Sequence, residues 1–130
     1  MNILVIDDNE YTSMAIADYC CMNNISCQEV NNGKKGLCEI QKQEYDVIIL
    51  DIAMPEFTGL DILSQLNKRG IFNQNIIILT ATNMELKDLK TYRELGVRGV
   101  IHKPISLIQL DRIVNRMNIL NPLLDNKISN

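Results

Sequence analysis

Three unbroken apolar runs, Ile3-Leu4-Val5-Ile6, Val47-Ile48-Ile49-Leu50 and Ile76-Ile77-Ile78-Leu79, constrain this chain more than any other feature. Each is too short for a helix, rich in β-branched residues, and lacks the apolar–polar alternation of a half-exposed strand. That pattern predicts strands buried on both faces. Each run ends in polar side chains: Asp7-Asp8, Asp51 and Thr80. Two weaker segments, Ile25 to Val30 and Gly99 to Ile101, read as further strands, the second leading into His102-Lys103.

Helix-length segments separate the runs. The first carries Ala15, Ile16, Tyr19 and Cys20 at helical spacing. The second follows Asn32-Gly33 with Leu37, Ile40 and Gln41 and ends before Tyr45. The third opens at Gly59, with Leu60, Leu63 and Leu66 expected inward, and closes near Gly70. The fourth is expected from about Asn83 to Leu95, with Leu86 and Leu89 inward and Gly96 as its C-terminal cap. The fifth starts at Ser106, has Gln109 in the capping-box position, and turns Leu110, Ile113, Val114 and Met117 inward before Asn121-Pro122. Strict alternation of strand and helix predicts an α/β fold, a parallel sheet with helices on both faces. The expected domain is residues 1–120, with 121–130 as a polar C-terminal tail. A chain of 130 residues can close its own core without a metal or disulfide staple.

The four cysteines, Cys20, Cys21, Cys27 and Cys38, form no C-x-x-C pair, and the single histidine is remote, so the spacing disfavours a zinc site. A vicinal Cys20–Cys21 disulfide is strained. The expectation is four mostly buried thiols in a reducing compartment. A net charge of −3 gives no support for a general nucleic-acid surface. Asp7 and Asp8 cut the first apolar run short, so no leader peptide is expected there, and no run approaches the roughly 18 residues of a membrane span. The expected location is cytoplasmic.

In doubly wound sheets, ligands bind beyond the carboxyl ends of the strands. Asp7, Asp8, Asp51, Thr80 and Lys103 all fall at such ends. Singly, Asp8 reads as a helix N-cap, Thr80 as a turn hydroxyl and Lys103 as a solvated surface charge. Their coincidence at successive strand ends points instead to a site. His102 has no such company and reads as an ordinary imidazole. Three adjacent carboxylates repel one another unless a cation joins them. A few carboxylates with waters and a phosphate is the set that Mg²⁺ prefers. Lys and Thr supply charge and a donor for phosphoryl oxygens, and a carboxylate can serve as the nucleophile.

These residues resemble the bacterial response-regulator receiver domain, over about residues 1–120. The resemblance is carried by Ile3-Leu4-Val5-Ile6-Asp7-Asp8, by Val47 to Pro55 with Asp51-Ile52-Ala53-Met54-Pro55 at its end, by Gly59, by Thr80-Ala81 and Gly96-Val97, and by Lys103-Pro104. It implies a flavodoxin-like (βα)5 sheet in the order 2-1-3-4-5. It also implies that Asp51 accepts a phosphoryl group in a Mg²⁺-dependent reaction, from a sensor histidine kinase or phosphotransfer protein. Asp8 would ligate Mg²⁺ directly, Asp7 mostly through water, with Asp51 and the Ala53 carbonyl completing the metal ligands. Lys103 and Thr80 would hold the phosphoryl group, and the Lys103–Pro104 peptide would be cis. Such a domain controls a partner or output domain and catalyses only its own phosphorylation and slow dephosphorylation. It is not expected to bind nucleic acid or membrane directly, and the family's pairing on the face of the fourth helix, fifth strand and fifth helix leaves a phosphorylation-linked dimer open.

The sequence departs from the family in three places. Val100 stands where an aromatic residue often couples to the Thr position, so a swinging ring cannot carry the signal; displacement of the loop at 81–85 is expected instead. Ala53 and Thr82 offer no carboxylate or amide to position an attacking water, which implies slow self-dephosphorylation. Ala53 also disfavours an aspartyl-nucleophile phosphohydrolase, which needs an acid at that position. A flavodoxin-like cofactor binder would need a phosphate-cradling loop where Asp7-Asp8 stand. A pseudo-receiver scaffold would not need all five side chains.

Overall fold

The computed structural model describes residues 1–72, 74–81 and 86–120. Five strands, β1 (Asn2–Ile6), β2 (Ser26–Val30), β3 (Val47–Asp51), β4 (Ile76–Thr80) and β5 (Val97–His102), alternate with α1 (Glu10–Met22), α2 (Gly33–Lys42), α3 (Gly59–Lys68), α4 (Leu86–Glu94) and α5 (Leu107–Leu120). The strands form one parallel sheet in the order β2-β1-β3-β4-β5. The chain moves from β1 outward to β2, then returns past β1 to β3. Strand order therefore reverses between β1 and β3, and a crevice opens beyond their carboxyl ends.

Both faces of the sheet are covered, which explains the unbroken apolar runs. Ile3, Val5, Val47, Ile49, Ile77 and Leu79 point to one side, where Ile16 of α1 and Leu110, Ile113, Val114 and Met117 of α5 meet them. Leu4, Ile6, Ile48, Leu50, Ile76 and Ile78 point to the other, against Leu37 and Ile40 of α2 and Ile62, Leu63 and Leu66 of α3. Successive side chains on a strand face opposite ways, so a strand buried on both sides has no polar position to spare. The Tyr19 hydroxyl, donating to Asp111 at 2.7 Å, ties α1 to α5 across the first layer.

The helix boundaries have local causes. Asn9 caps α1 by accepting the amides of Tyr11 and Thr12, and Thr58 and Asp61 form a reciprocal capping box on α3. Ser106 Oγ accepts the Gln109 amide at the start of α5, and Gly96, at φ +96°, follows α4. The third helix corrects one expectation. Leu60 is 43% exposed, and Ile62 takes the inward position with Leu63 and Leu66. At 100° per residue, 62, 63 and 66 make one stripe and residue 60 falls beyond its edge.

The cysteines correct another expectation: Cys20 is buried and Cys27 half-buried, but Cys21 and Cys38 are exposed. Cys21 follows the inward Cys20 by one helical step, and Cys38 follows the inward Leu37 in the same way. The expectations for Asn83, Thr82, the 82–85 loop and the 121–130 tail, and for the side chains of Leu86 and Leu89, lie outside the described residues. No helix among the described residues is long and apolar enough to cross a membrane.

Candidate functional site

The carboxyl ends of β1, β3, β4 and β5 deliver the predicted side chains to one place. Asp7 follows β1 directly, Asp51 and Thr80 are the last residues of β3 and β4, and Lys103 follows β5. Backbone bonds continue the sheet into this rim: the Ile52 amide donates to the Leu79 carbonyl at 3.1 Å, and the Lys103 amide to the Thr80 carbonyl at 2.7 Å. The Lys103–Pro104 peptide is cis.

Asp7, Asp8 and Asp51 each present a carboxylate oxygen such that all three lie within 4.8 Å of one another. Asp7, Asp51 and Thr80 are buried, whereas Asp8 is exposed. The Lys103 Nζ stands 2.9 Å from Asp7 Oδ2 and 3.4 Å from Asp51 Oδ2, bridging the two buried acids. Ala53 also reaches the site, but through its amide, which donates to Asp51 Oδ1 at 3.1 Å. All six residues singled out from the sequence therefore gather at this rim.

The electrostatics are those of an acid-rich pocket short of positive charge. Burial pushes the Asp7 carboxyl up from 3.8 to about 6, against the lowering pull of the Asn9 amide and of Lys103, while Asp51 adds to the rise. Burial works against the Lys103 charge too, but Asp7 and then Asp51 outweigh it and hold the ammonium above its ordinary pKa. Asp7 Oδ2 is buried and finds no hydrogen bond of good geometry among the described residues; the ammonium meets it as an ion pair. A buried carboxylate oxygen with spare coordination, beside two further carboxylates, fits a hard divalent cation.

One contributor was not singled out from the sequence, and another, Gly59, was marked there only as a helix start and a carrier of the resemblance. Asn9 donates its amide to Asp7 Oδ1 at 2.8 Å while its side chain caps α1, so one residue orients the acid and starts the helix. Its signal was the N-cap preference for Asn just before a helix. Gly59 has a steric task. A Cβ there would sit 2.5 Å from the Asp51 carbonyl oxygen, so only glycine lets α3 begin this close behind the acid.

A doubly wound parallel sheet with an acid cluster and a bridging lysine at its switch point defines a class of metal- and phosphate-handling α/β domains. Within that class the chain belongs to the response regulator receiver domain family, which it matches over residues 3–115. It is 31% identical over 110 residues to the transcriptional regulatory protein CiaR of Streptococcus pneumoniae, covering 85% of this chain and 48% of CiaR. The chain spans less than two thirds of the length of the other curated relatives it matches as well.

Among solved structures, the receiver domain of the Francisella response regulator 1452 superposes with a TM-score of 0.78 at 31% identity, covering 92% of this chain and 94% of that one. The response regulator protein TrrA of Thermotoga maritima, in complex with Mg²⁺-BeF, superposes with a TM-score of 0.76 at 25% identity, covering 89% and 97%. The chain is a receiver domain of the kind found in two-component response regulators, and its acidic cluster is consistent with a phosphorylation site.

Proposed function

We propose that Asp51 is the phosphoacceptor and that the other gathered residues serve its chemistry. A carboxylate oxygen of Asp51 attacks the phosphorus of a phosphohistidine on a sensor kinase or phosphotransfer protein. The new O–P bond forms as the N–P bond breaks, and the imidazole leaves and is protonated. Lys103, already held between Asp7 and Asp51, pairs with the phosphoryl oxygens, and the Thr80 hydroxyl donates to one of them. Asp8, Asp7, Asp51 and the Ala53 carbonyl would hold Mg²⁺, which offsets the charge of carboxylates and phosphate while bound. The TrrA complex with Mg²⁺-BeF supports that choice of ion.

The observation that carries this reading is the buried Asp51 carboxylate beside two more acids and a captive ammonium. Such a domain turns over no separate substrate and works in the cytoplasm with its kinase and an output partner. Ala53 positions no water, so the acyl phosphate decays slowly. Val100 is half-buried against the α2/α3 layer and has no ring to swing, so the signal leaves through the backbone after β4. Incubation with Mg²⁺ and acetyl phosphate should add one phosphoryl mass to the intact protein, and Asp51→Asn should abolish the gain. Equal labelling of that variant would refute the assignment.

A further inference from the structure

Two of the four cysteines stand together, away from the phosphoryl site. Cys20 lies in the last turn of α1 with no exposure to solvent, and Cys27, half-buried, is the second residue of β2. Both turn to the same layer of the core: Cys27 pairs in register with the inward Ile3 and packs against the cluster to which Cys20 belongs. Their thiols share a side-chain hydrogen bond. The chain between them folds straight back. The Cys20 carbonyl accepts the Asn23 amide at 3.1 Å and the Ile25 amide at 2.8 Å, and Asn24 turns the chain at φ 55°, a left-handed conformation that asparagine tolerates.

A single buried thiol packs as a small apolar group and stays inert. Two sulfurs in contact are a redox couple as soon as an oxidant can reach them, and here one side is open. β2 is an edge strand that pairs only with β1, and the neighbours of Cys27, Ser26 and Gln28, are exposed. The pairing also eases the loss of the first proton. Donation from the Cys27 thiol stabilises a Cys20 thiolate and lowers that thiol, while the same bond and then burial hold the Cys27 thiol up. Cys21, one helical step beyond Cys20, faces outward and takes no part.

We propose that Cys20 and Cys27 form a redox-modification site, which closes to an intramolecular disulfide when the protein meets a hydroperoxide. The thiolate of the pair attacks the peroxide, whose O–O bond breaks; the sulfur becomes a sulfenic acid and hydroxide leaves. The second sulfur then attacks the first. The S–S bond forms as the S–O bond breaks, and the thiol proton leaves with the hydroxyl as water. In all, two thiols and one hydrogen peroxide give one disulfide and two waters. Two small thiols reverse the step by exchange and leave as their own disulfide, so in a reducing compartment the bond is transient, as redox-sensing disulfides are. It would tie the end of α1 to the start of β2, at the end of the sheet opposite the rim that carries Asp51. The inference can therefore fail while Asp51 remains the acceptor.

The test uses the full chain carrying Cys21→Ser/Cys38→Ser, both at exposed positions, so that only the pair remains. The folded protein is treated with hydrogen peroxide and a chelator, then denatured and alkylated. Alkylation should reach neither sulfur after peroxide and both after dithiothreitol, and the peptide spanning residues 20–27 should lack two hydrogens before reduction. The disulfide form should melt about 5 °C or more above the same sample after dithiothreitol, because the bond constrains the unfolded chain and closes between sulfurs already in contact. Methionine oxidation is common to both samples and cancels, since dithiothreitol leaves it in place. Adding Cys27→Ser, or Cys27→Ala where serine disturbs β2, should abolish the hydrogen loss and the melting difference. Thiols that stay fully alkylatable while glutathione in a parallel tube is consumed would overturn the proposal. So would sulfinic acid in place of the disulfide, a cross-linked dimer, or a melting temperature that falls on closure.

Discussion

The molecule gathers like charges twice, and handles them in opposite ways. At the switch point, three carboxylates meet, two of them buried, and a lysine is drawn between those two. At the β5 edge, Arg93 of α4, Arg98 of β5 and Arg112 and Arg116 of α5 line one groove, all exposed and none paired among the described residues. Burial makes the first cluster strongly interacting: Asp7 is pushed up to about 6 and Lys103 is held charged. Exposure leaves the second screened by water and salt, where it adds little to folding. The same kind of crowding is therefore buried and strongly coupled in one place, exposed and screened in the other.

Removing one cation from each cluster should separate them most widely. Lys103→Met leaves Asp7 and Asp51 without their shared partner. In metal-free buffer near neutral pH it should destabilise the protein by about 3–5 kcal/mol, towards the lower end because Asp7 can take up a proton. Arg98→Met should change stability by no more than about 0.5 kcal/mol, since an exposed, unpaired charge contributes little to folding. Urea unfolding of both variants checks the contrast, and equal losses would erase it.

Acid titration sharpens the same point. The folded-state pKa of Asp7 lies near 6 against 3.8 for the free group, so the folded protein binds the proton more tightly. The Asp7 contribution to stability is greatest at low pH, and it falls as pH rises from about 4 to about 6. Above that window the charged Asp7 costs on the order of 3 kcal/mol in metal-free buffer. Asp7→Asn should remove that slope and stabilise the metal-free protein at neutral pH by up to about that amount. Added Mg²⁺ should favour the wild type over the variant. Thermal melts across the window, with chelator and with Mg²⁺, decide it, and an unchanged slope in the variant would show that another group titrates.

Most of the fold was legible because its central strands are buried on both faces. Burial on two sides leaves only apolar residues, and β1, β3 and β4 stand out on composition alone. The edge strands were fainter because each has one open side: β5 extends to Val97 and His102, beyond the Gly99–Ile101 core that its composition marked. The convergence of Asp7, Asp8, Asp51, Thr80 and Lys103 followed from placing each at a strand end, since parallel strands put all such ends on one rim. Leu60 misled because the capping box at Thr58 sets the phase of α3, and leucine counts do not. The arginine groove was invisible: its members lie on three elements, and only the i, i+4 pair Arg112 and Arg116 shares a helix.

Two glycines bring the comparison down to single methyl groups. Behind the acid cluster, a Cβ at Gly59 would meet the Asp51 carbonyl oxygen at 2.5 Å and the Ile52 Cα at 2.8 Å. Backbone of a buried strand end cannot retreat, so Gly59→Ala should cost about 1–3 kcal/mol and displace Asp51, slowing labelling by acetyl phosphate as well. Beneath the arginine groove, a Cβ at Gly99 would meet Ile77 Cδ1 at 3.2 Å and Arg116 Nη2 at 3.4 Å. Both are ends of flexible side chains, and replacing glycine inside a strand recovers some of its entropic penalty. Gly99→Ala should therefore change stability by less than about 1 kcal/mol while lifting Arg116 off the strand. Side-by-side unfolding and acetyl phosphate labelling of the two variants would test this, and a Gly99→Ala loss as large as that of Gly59→Ala would mean that the groove is as rigidly packed as the acid site.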